Sequence, residues 1–500
     1  MQNKFKSGLA SDATKLSLSN ILSLSINMIT IMLLSRFISK FEYGTYSQIQ
    51  IINILAVAIF AMGLPNCINY FFARSENKKE KQEFIFVYFF SLSAIFIVVC
   101  ILMCLFTPYL GAYFKNDTLK DFTIIYSTLP LFTVIIQSNS NLLIAIGKSN
   151  KLIFLTLINN FALLLSIIFI KIFNLSFKGY MILYILIQFI YAIYVYISAF
   201  NIGEFSYSEL SNTINNVDIK SYIKTMLRFS IPLGLGTMVS TLSIELDKLV
   251  ISGLMDTNSL AIYTNASKEL PIALIVNSFT AILLPKMSRM YKYNDTSGIV
   301  AIWHSSICIG FTIMMFFATS IITFAPQVLV FLYSDAYLEG INVFKICTLI
   351  LILRSTYFGI ILNITGNTKY VFYSSLLALA LNLISNFLFF KLFGFIGPAI
   401  STVLCISLVN FIQLKFTSKI LEMNIKELFP LKDIIHVFLV NLLVAPLFIL
   451  LKHLINPGVD IKGIILSIVL GITWMVVYFM INRKFLHEKW VHLNSYSIQE

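Results

Sequence analysis

Ile144-Ala145-Ile146-Gly147-Lys148-Ser149 has a counterpart in Asn363-Ile364-Thr365-Gly366-Asn367-Thr368, 219 positions further along the chain. The match is loose by itself, but others keep its order and spacing. Gly44-Thr45-Tyr46 answers Ala261-Ile262-Tyr263 at 217, and Gly63-Leu64-Pro65 answers Leu283-Leu284-Pro285 at 220. Lys171-Ile172-Phe173 answers Lys391-Leu392-Phe393 at 220, and Phe177-Lys178-Gly179 answers Phe395-Ile396-Gly397 at 218. Five matches in one order at a nearly constant offset mark an internal duplication. Duplication inside an apolar chain is the usual plan of a membrane carrier, with the substrate site where the copies meet.

The composition excludes a water-soluble globule. Hydrophobic residues make up 58% of the chain, charged residues 12%, and the mean hydropathy is +0.86. A soluble domain carries about 25% charged residues. The net charge of +13 is spread without any basic run or basic domain, so nucleic acid is not a partner. Lys and Arg gathered in cytoplasmic loops explain it instead. Cys67, Cys100, Cys104, Cys308, Cys347 and Cys405 all fall in apolar segments and read as reduced packing residues. The first apolar stretch, residues 14–37, is too long for a cleavable signal and has no small-residue cleavage site.

Apolar segments long enough to cross ~30 Å of hydrocarbon fall at 14–37, 46–73, 84–107, 121–146, 151–173, 178–202, 226–252, 259–285, 299–325, 341–364, 370–392, 395–418, 433–455 and 461–482. The expected fold is therefore all-α, a polytopic membrane protein of about fourteen helices. The duplication covers the first twelve spans as two six-helix lobes. Six is even, so both copies enter the membrane from the same side and the repeat is parallel. Residues 1–202 form the first lobe, 203–225 a cytoplasmic linker, 226–418 the second lobe, and 419–500 two added helices and a tail. With both termini on one side, the loops of that side carry 23 Lys and Arg against 9 opposite, so the termini are placed in the cytoplasm.

Ionisable residues within a span cost at least ~2.5–3.5 kcal/mol at its centre and usually face a bundle interior or a water-filled cavity. The seventh span carries Glu245, Asp247 and Lys248. Glu245 and Lys248 are i,i+3 neighbours able to pair, whereas Asp247 points away and needs another partner. Lys268 and Glu269 stand on the eighth span, ~14 Å from its outer end. Arg354 lies deeper, in the tenth span, with no acid near it in sequence; Arg36 closes the first span at the outer surface. These charges break the duplication, because Thr30, Ile51 and Ile135 occupy the positions of Asp247, Lys268 and Arg354 in the first copy. The first copy carries amides instead: Asn27, Gln48, Gln50, Asn53, Asn66, Asn69, Gln137, Asn139, Asn141, Asn159, Asn160 and Gln188. Charge suits an anion such as phosphate, and amides suit sugar hydroxyls. Against this stand plain structural roles: snorkelling for Lys248 and Arg36, ion pairing for Glu245, Asp247, Lys268 and Glu269, and helix–helix adhesion for the amides.

Other chemistries find little support. There is no phosphate-binding glycine loop, and the five histidines show no metal spacing, so no metal or cofactor is expected. No acidic pair stands on a sizeable outer loop, as a membrane glycosyltransferase or polysaccharide polymerase would need.

Leu34-Ser35-Arg36-Phe37 followed by Phe41-Glu42-Tyr43-Gly44-Thr45-Tyr46 resembles the signature of the first two helices in bacterial polysaccharide-repeat flippases, the Wzx-type O-antigen transporters. Arg228-Phe229-Ser230-Ile231-Pro232-Leu233, with Asp247-Lys248 and Ala261-Ile262-Tyr263, is similar to that family's seventh and eighth helices. Ala325-Pro326 with Leu332-Tyr333-Ser334 resembles the exit of its ninth. The family belongs to the multidrug/oligosaccharidyl-lipid/polysaccharide flippase superfamily. The resemblance implies two lobes opening alternately to each side of a bacterial inner membrane. It implies a cargo of undecaprenyl-pyrophosphate-linked oligosaccharide moved to the outer leaflet for O-antigen, capsule or another surface polysaccharide. Polysaccharide polymerase and chain-length machinery would be partners, and the protein would not be an enzyme. The resemblance further implies a cationic cavity for the pyrophosphate, for which Arg354, Lys268, Lys248 and Arg36 are the candidates. Asp247, Glu245 and Glu269 dilute that charge and are read either as coupling-ion ligands or as ion-pair partners. A cation-coupled multidrug antiporter of the same superfamily is the alternative.

Overall fold

A computed structural model describes residues 2–75, 77–203, 218–356 and 358–495, without the side chains of 2–18, 73 and 277–282. Among the described residues every regular element is a helix, and twelve stretches are long and apolar enough to cross a membrane. Polarity is distributed as lipid requires. Leu443 is 79% and Ile461 77% exposed, while Gln48, Asn139 and Asn386 are wholly buried. Apolar side chains face hydrocarbon and polar ones turn inward, because no water is available to them outside. The chain is an all-α, multi-pass membrane protein.

The expected spans are recovered with small shifts, as Lys78–Leu105, Thr123–Ala145, Ser149–Phe173, Phe177–Ile202, Thr296–Thr323, Leu431–Ile455 and Ile461–Ile481 show. One of the twelve stretches, Thr368–Leu421, holds two helices, Thr368–Phe393 and Gly397–Leu421. The seventh helix runs over Ile219–Leu254 and so begins before residue 226. Asp218 caps it, its Oδ1 accepting from the Ser221 N–H at 3.1 Å. The rest of the expected linker lies at 204–217, outside the described residues. The expected eighth span is not continuous. It is split into Thr257–Ala266 and Ala273–Lys292, with 267–272 unwound. Pro271 stands in the gap and has no N–H to continue the helix. The tenth is also segmented, into Ile341–Thr348, Ile350–Arg354 and Gly359–Ile364.

The duplication extends to the backbone. Ser39 caps Lys40–Phe60 in a reciprocal box with Glu42, and 217 residues on Asp256 caps Thr257–Ala266 by accepting from Ser259 N–H at 2.9 Å. Hydrogen bonds from Ser259 hold the Asp256 carboxyl below the usual carboxylate range. Short proline-led helices, Thr107–Tyr113 and Ala325–Leu332, each precede a 3₁₀ turn, Asp117–Phe122 and Asp335–Gly340. Gly147 and Gly366 adopt φ +70° and +74°, and each turn closes with the same two backbone hydrogen bonds. Glycine adopts this left-handed turn without strain, which explains why Gly147 and Gly366 recur at the same place in both copies.

By contacts the chain divides into two compact units, residues 1–261 and 262–500. The core of the first gathers Phe84, Tyr88, Val134, Ile135, Val195 and Met226, and Tyr88 shares a 2.6 Å hydroxyl hydrogen bond with Ser138. In the second, Trp303, Phe358 and Leu414 anchor one cluster. The two added helices dock on Thr296–Thr323 through a separate aromatic cluster. There Trp474 stacks on Phe448 at 5.2 Å and meets Phe316 edge-on. An amphipathic helix, Arg483–Ser495, follows and is tied back by Lys489 to Asp433 at 2.7 Å.

Candidate functional site

In the second unit, the two interrupted spans hold the candidate charges. Lys268 and Glu269 lie in the unwound stretch 267–272 and are exposed, not on a continuous helix as expected. Arg354 ends the segment Ile350–Arg354, and Ser355, Thr356 and Phe358 after it are non-helical. Its Nε–H donates to Glu269 Oε1 and its Nη2–H to Oε2, each at 2.8 Å. The acid that Arg354 lacks locally is thus supplied 85 residues away. The side chains remain 44% and 37% exposed, so the pair lies open to an incoming group.

The break beside Arg354 is stabilised from several directions. Ser355 and Thr356 donate to the carbonyls of Ile352 and Leu353, at 2.7 and 3.0 Å. Asn410, on Gly397–Leu421, donates to Leu353 O at 3.0 Å and to Thr356 Oγ1 at 3.1 Å. Interrupted helices persist at membrane depth only where the freed backbone groups find protein partners or line an aqueous cavity. Asn410 supplies such a partner. The sequence reading did not single it out, since one amide in an apolar span carries little signal by itself. In the first copy, Ile51 and Ile135 at the positions of Lys268 and Arg354 are both 2% exposed, inside the hydrophobic core.

In the first unit, Glu245 and Lys248 pair at 2.9 Å, as their spacing predicts. Asp247 is buried, and its Oδ1 accepts from the backbone N–H of Lys248 at 2.8 Å. Arg36 is exposed in the last turn of Gln2–Phe37. A cavity of about 490 Å³ lies in the same unit. Its polar lining comes from Asn53, Asn66, Gln137 and Asn141, with hydroxyls from Thr133, Ser140, Thr237 and Thr241. Four of the twelve sequence-derived amides therefore share one cavity. Asn141 is held there by donating to Pro65 O at 2.9 Å, and Thr133 donates to Asn53 Oδ1 at 3.2 Å. Thr237 and Thr241 were missed, although their i,i+4 spacing puts both hydroxyls on one helix face.

Other amides hold the fold. Gln48 donates to Phe114 O at 3.2 Å and to Thr257 Oγ1 at 3.3 Å, and accepts from Asn116 Nδ2 at 2.7 Å. Asn116 also donates to Thr45 Oγ1 at 2.9 Å. Gln50 donates to the Tyr184 hydroxyl at 3.2 Å. Among the described residues no group of three His, Cys, Asp or Glu side chains is placed to hold a metal.

A bidentate guanidinium–carboxylate pair at two helix breaks can exchange its carboxylate for another planar or tetrahedral oxyanion. An amide- and hydroxyl-lined cavity can exchange hydrogen bonds with a polyol.

Residues 9–291 match the family described as polysaccharide biosynthesis protein. An uncharacterized membrane protein of Methanocaldococcus jannaschii is 25% identical over 391 residues, 74% of this chain and 89% of its own length. Among solved structures, the lipid II flippase MurJ in an inward closed conformation aligns with a TM-score of 0.73 at 16% identity, over 94% of this chain and 99% of its own. An inward-facing multidrug resistance MATE family transporter of the MOP superfamily gives 0.65 at 14% identity, over 82% and 98%. A MOP superfamily transporter from Pyrococcus furiosus gives 0.57 at 13% identity, over 82% and 95%. At such identities the structural likeness is one of fold, whereas the family match spans more than half of the chain. The chain belongs to the polysaccharide biosynthesis protein family and has the fold of the MOP superfamily transporters.

Proposed function

We propose that this protein is a flippase carrying undecaprenyl-pyrophosphate-linked oligosaccharide units from the cytoplasmic to the outer leaflet of a bacterial inner membrane by alternating access. The observation that carries the reading is the exposed Arg354–Glu269 pair at two interrupted spans, in a chain of the polysaccharide biosynthesis family. The MurJ-like fold supports it, since that relative is described as a lipid II flippase. In this scheme the pyrophosphate takes Arg354 from Glu269, while Lys268 adds charge nearby in sequence. The amide cavity of the first unit serves sugar hydroxyls, and the lipid tail stays in the bilayer. Glu245 and Asp247 hold Lys248 or a coupling cation. Arg36 is assigned to the outer surface, both termini to the cytoplasm. Polysaccharide polymerase and chain-length machinery are the partners that would consume the product.

A cation-coupled multidrug antiporter is the second reading, favoured by the MATE likeness and the buried acids Glu245 and Asp247. It calls for an apolar pocket, whereas the cavity here sets four amides and four hydroxyls beside the apolar Ile54, Val57, Ala58, Ala61 and Pro65. Deleting the gene separates the two. The flippase reading expects a lipid-linked glycan to accumulate on the cytoplasmic leaflet, with surface polysaccharide lost. Increased drug sensitivity with normal surface glycan would favour the antiporter.

A further inference from the structure

A second cavity, about 350 Å³, lies in the first unit where Thr123–Ala145 ends, Ser149–Phe173 begins and Phe177–Ile202 ends. Lys148, Lys151, Tyr194, Ser198 and Asn201 supply its polar lining, and among the described residues no acid lines it. Lys151 Nζ donates to the buried Ser198 hydroxyl at 3.3 Å and lies 5.6 Å from the Tyr194 ring centre. Among the described residues neither lysine has a carboxylate partner. Two cations converge on a hollow that also offers a hydroxyl and an amide.

The flank of the cavity is apolar and faces outward. Phe154, Ile158, Phe161 and Leu165 run down one face of Ser149–Phe173, each 49% exposed or more. Ile190, Ile193 and Ile197 run down Phe177–Ile202 in the same way, and Ile197 itself lines the cavity. A basic hollow above two apolar stripes matches a lipid, with an anionic head above its chains. A basic pocket between helices at the cytoplasmic surface is a recognised form of headgroup site. The repeat offers a contrast. In the second copy, Tyr370 and Phe416 stand 219 residues after Lys151 and Ile197, and their rings stack at 4.4 Å. An aromatic stack thus replaces, in that copy, two residues that line the hollow in the first.

We propose that this cavity binds the phosphodiester headgroup of an anionic glycerophospholipid from the leaflet at that end of the protein. Lys148 and Lys151 contact the phosphate oxygens, Ser198 and Asn201 the remaining polar groups, and the acyl chains lie along the exposed stripes. This site shares no lining residue with the amide cavity, and its proposal does not depend on the cargo reading.

The test uses purified full-length protein in detergent and counts retained lipid by native mass spectrometry. Phosphatidylglycerol, phosphatidylcholine and inorganic pyrophosphate are the probes. Phosphatidylglycerol is expected to bind more tightly than phosphatidylcholine and to resist competition by pyrophosphate. The double variant Lys148→Gln/Lys151→Gln should weaken phosphatidylglycerol binding ~30-fold, from about 1 kcal/mol per surface lysine. Lys148→Gln alone, at an exposed position, should weaken it ~5-fold and covers the case in which the double variant does not fold. Lys148→Arg/Lys151→Arg should retain binding. Unchanged phosphatidylglycerol affinity in the Gln variants would overturn the site. Displacement of the lipid by pyrophosphate at matched concentration would overturn its assignment to a phospholipid.

Discussion

Arg354→Ala is expected to reduce surface polysaccharide export roughly a hundredfold or more, with the protein still present in the membrane. The magnitude follows from losing two charge-assisted hydrogen bonds to a phosphate group, about 1.5–3 kcal/mol each. Arg354→Lys keeps the charge but not the two-pronged donor, and should recover only part of the loss. The pairing with Glu269 makes a sharper test possible. If the pair only braces the two breaks, Arg354→Glu combined with Glu269→Arg should restore export, because the interaction survives with its ends exchanged. If Arg354 meets the cargo, the exchange should restore protein abundance without restoring export. Glycan labelling of intact cells beside membrane immunoblots reads both quantities. Normal export by Arg354→Ala would remove this residue from the site.

Gly44→Val should cost stability rather than transport alone. A Cβ at Gly44 would stand 2.1 Å from the Thr257 carbonyl oxygen and 2.7 Å from its methyl group. The obstacle includes backbone, so no rotamer change relieves it. A loss of ~3 kcal/mol or more is expected, at the upper end of overpacking effects. It should appear as a lowered thermal midpoint in detergent and as reduced abundance in cells. Gly44→Ala should act in the same direction. A Gly44→Val protein that melts with the wild type would show that the Gly44–Thr257 approach is not required.

This second case shows what kind of meaning the sequence carried. Gly44-Thr45-Tyr46 was legible as a repeat and as part of a family resemblance, yet neither reading said what it does. In the structure Gly44 admits the Thr257 backbone, while Thr45 joins Gln48 and Asn116 in one hydrogen-bonded group. The motif is structural. Asn116 was invisible at first because it lies outside the spans, although the repeated pattern of Pro108 and Pro326 followed by Asp117 and Asp335 marks its neighbourhood in both copies.

Span positions were legible because hydrocarbon imposes a length on every apolar run. The Glu245–Lys248 pair was legible because it is local, fixed by helical spacing. The breaks at 267–272 and beside Arg354 were not, since Lys268 and Glu269 read as charges within one long apolar run and one proline rarely decides a kink. Nor was the Arg354–Glu269 pair, whose members are 85 residues apart and meet only through the folding of the second unit. The sequence singled out both residues by their cost in a membrane but could not join them. The amides divided in a similar way: Asn53, Asn66, Gln137 and Asn141 line one cavity, while Gln48 and Gln50 bond elsewhere. Composition marks them alike, and only packing separates them.

The central claim is that this chain moves a polyprenyl-pyrophosphate-linked glycan across a bilayer and that Arg354 takes part. Purified protein reconstituted into vesicles loaded with such a lipid tests it directly, with the glycan on the inner face scored by a lectin outside. The account predicts time-dependent appearance of lectin-accessible glycan with the wild type and little with Arg354→Ala at equal protein content. Equal rates with wild type and protein-free vesicles, under conditions where the protein remains folded, would contradict it.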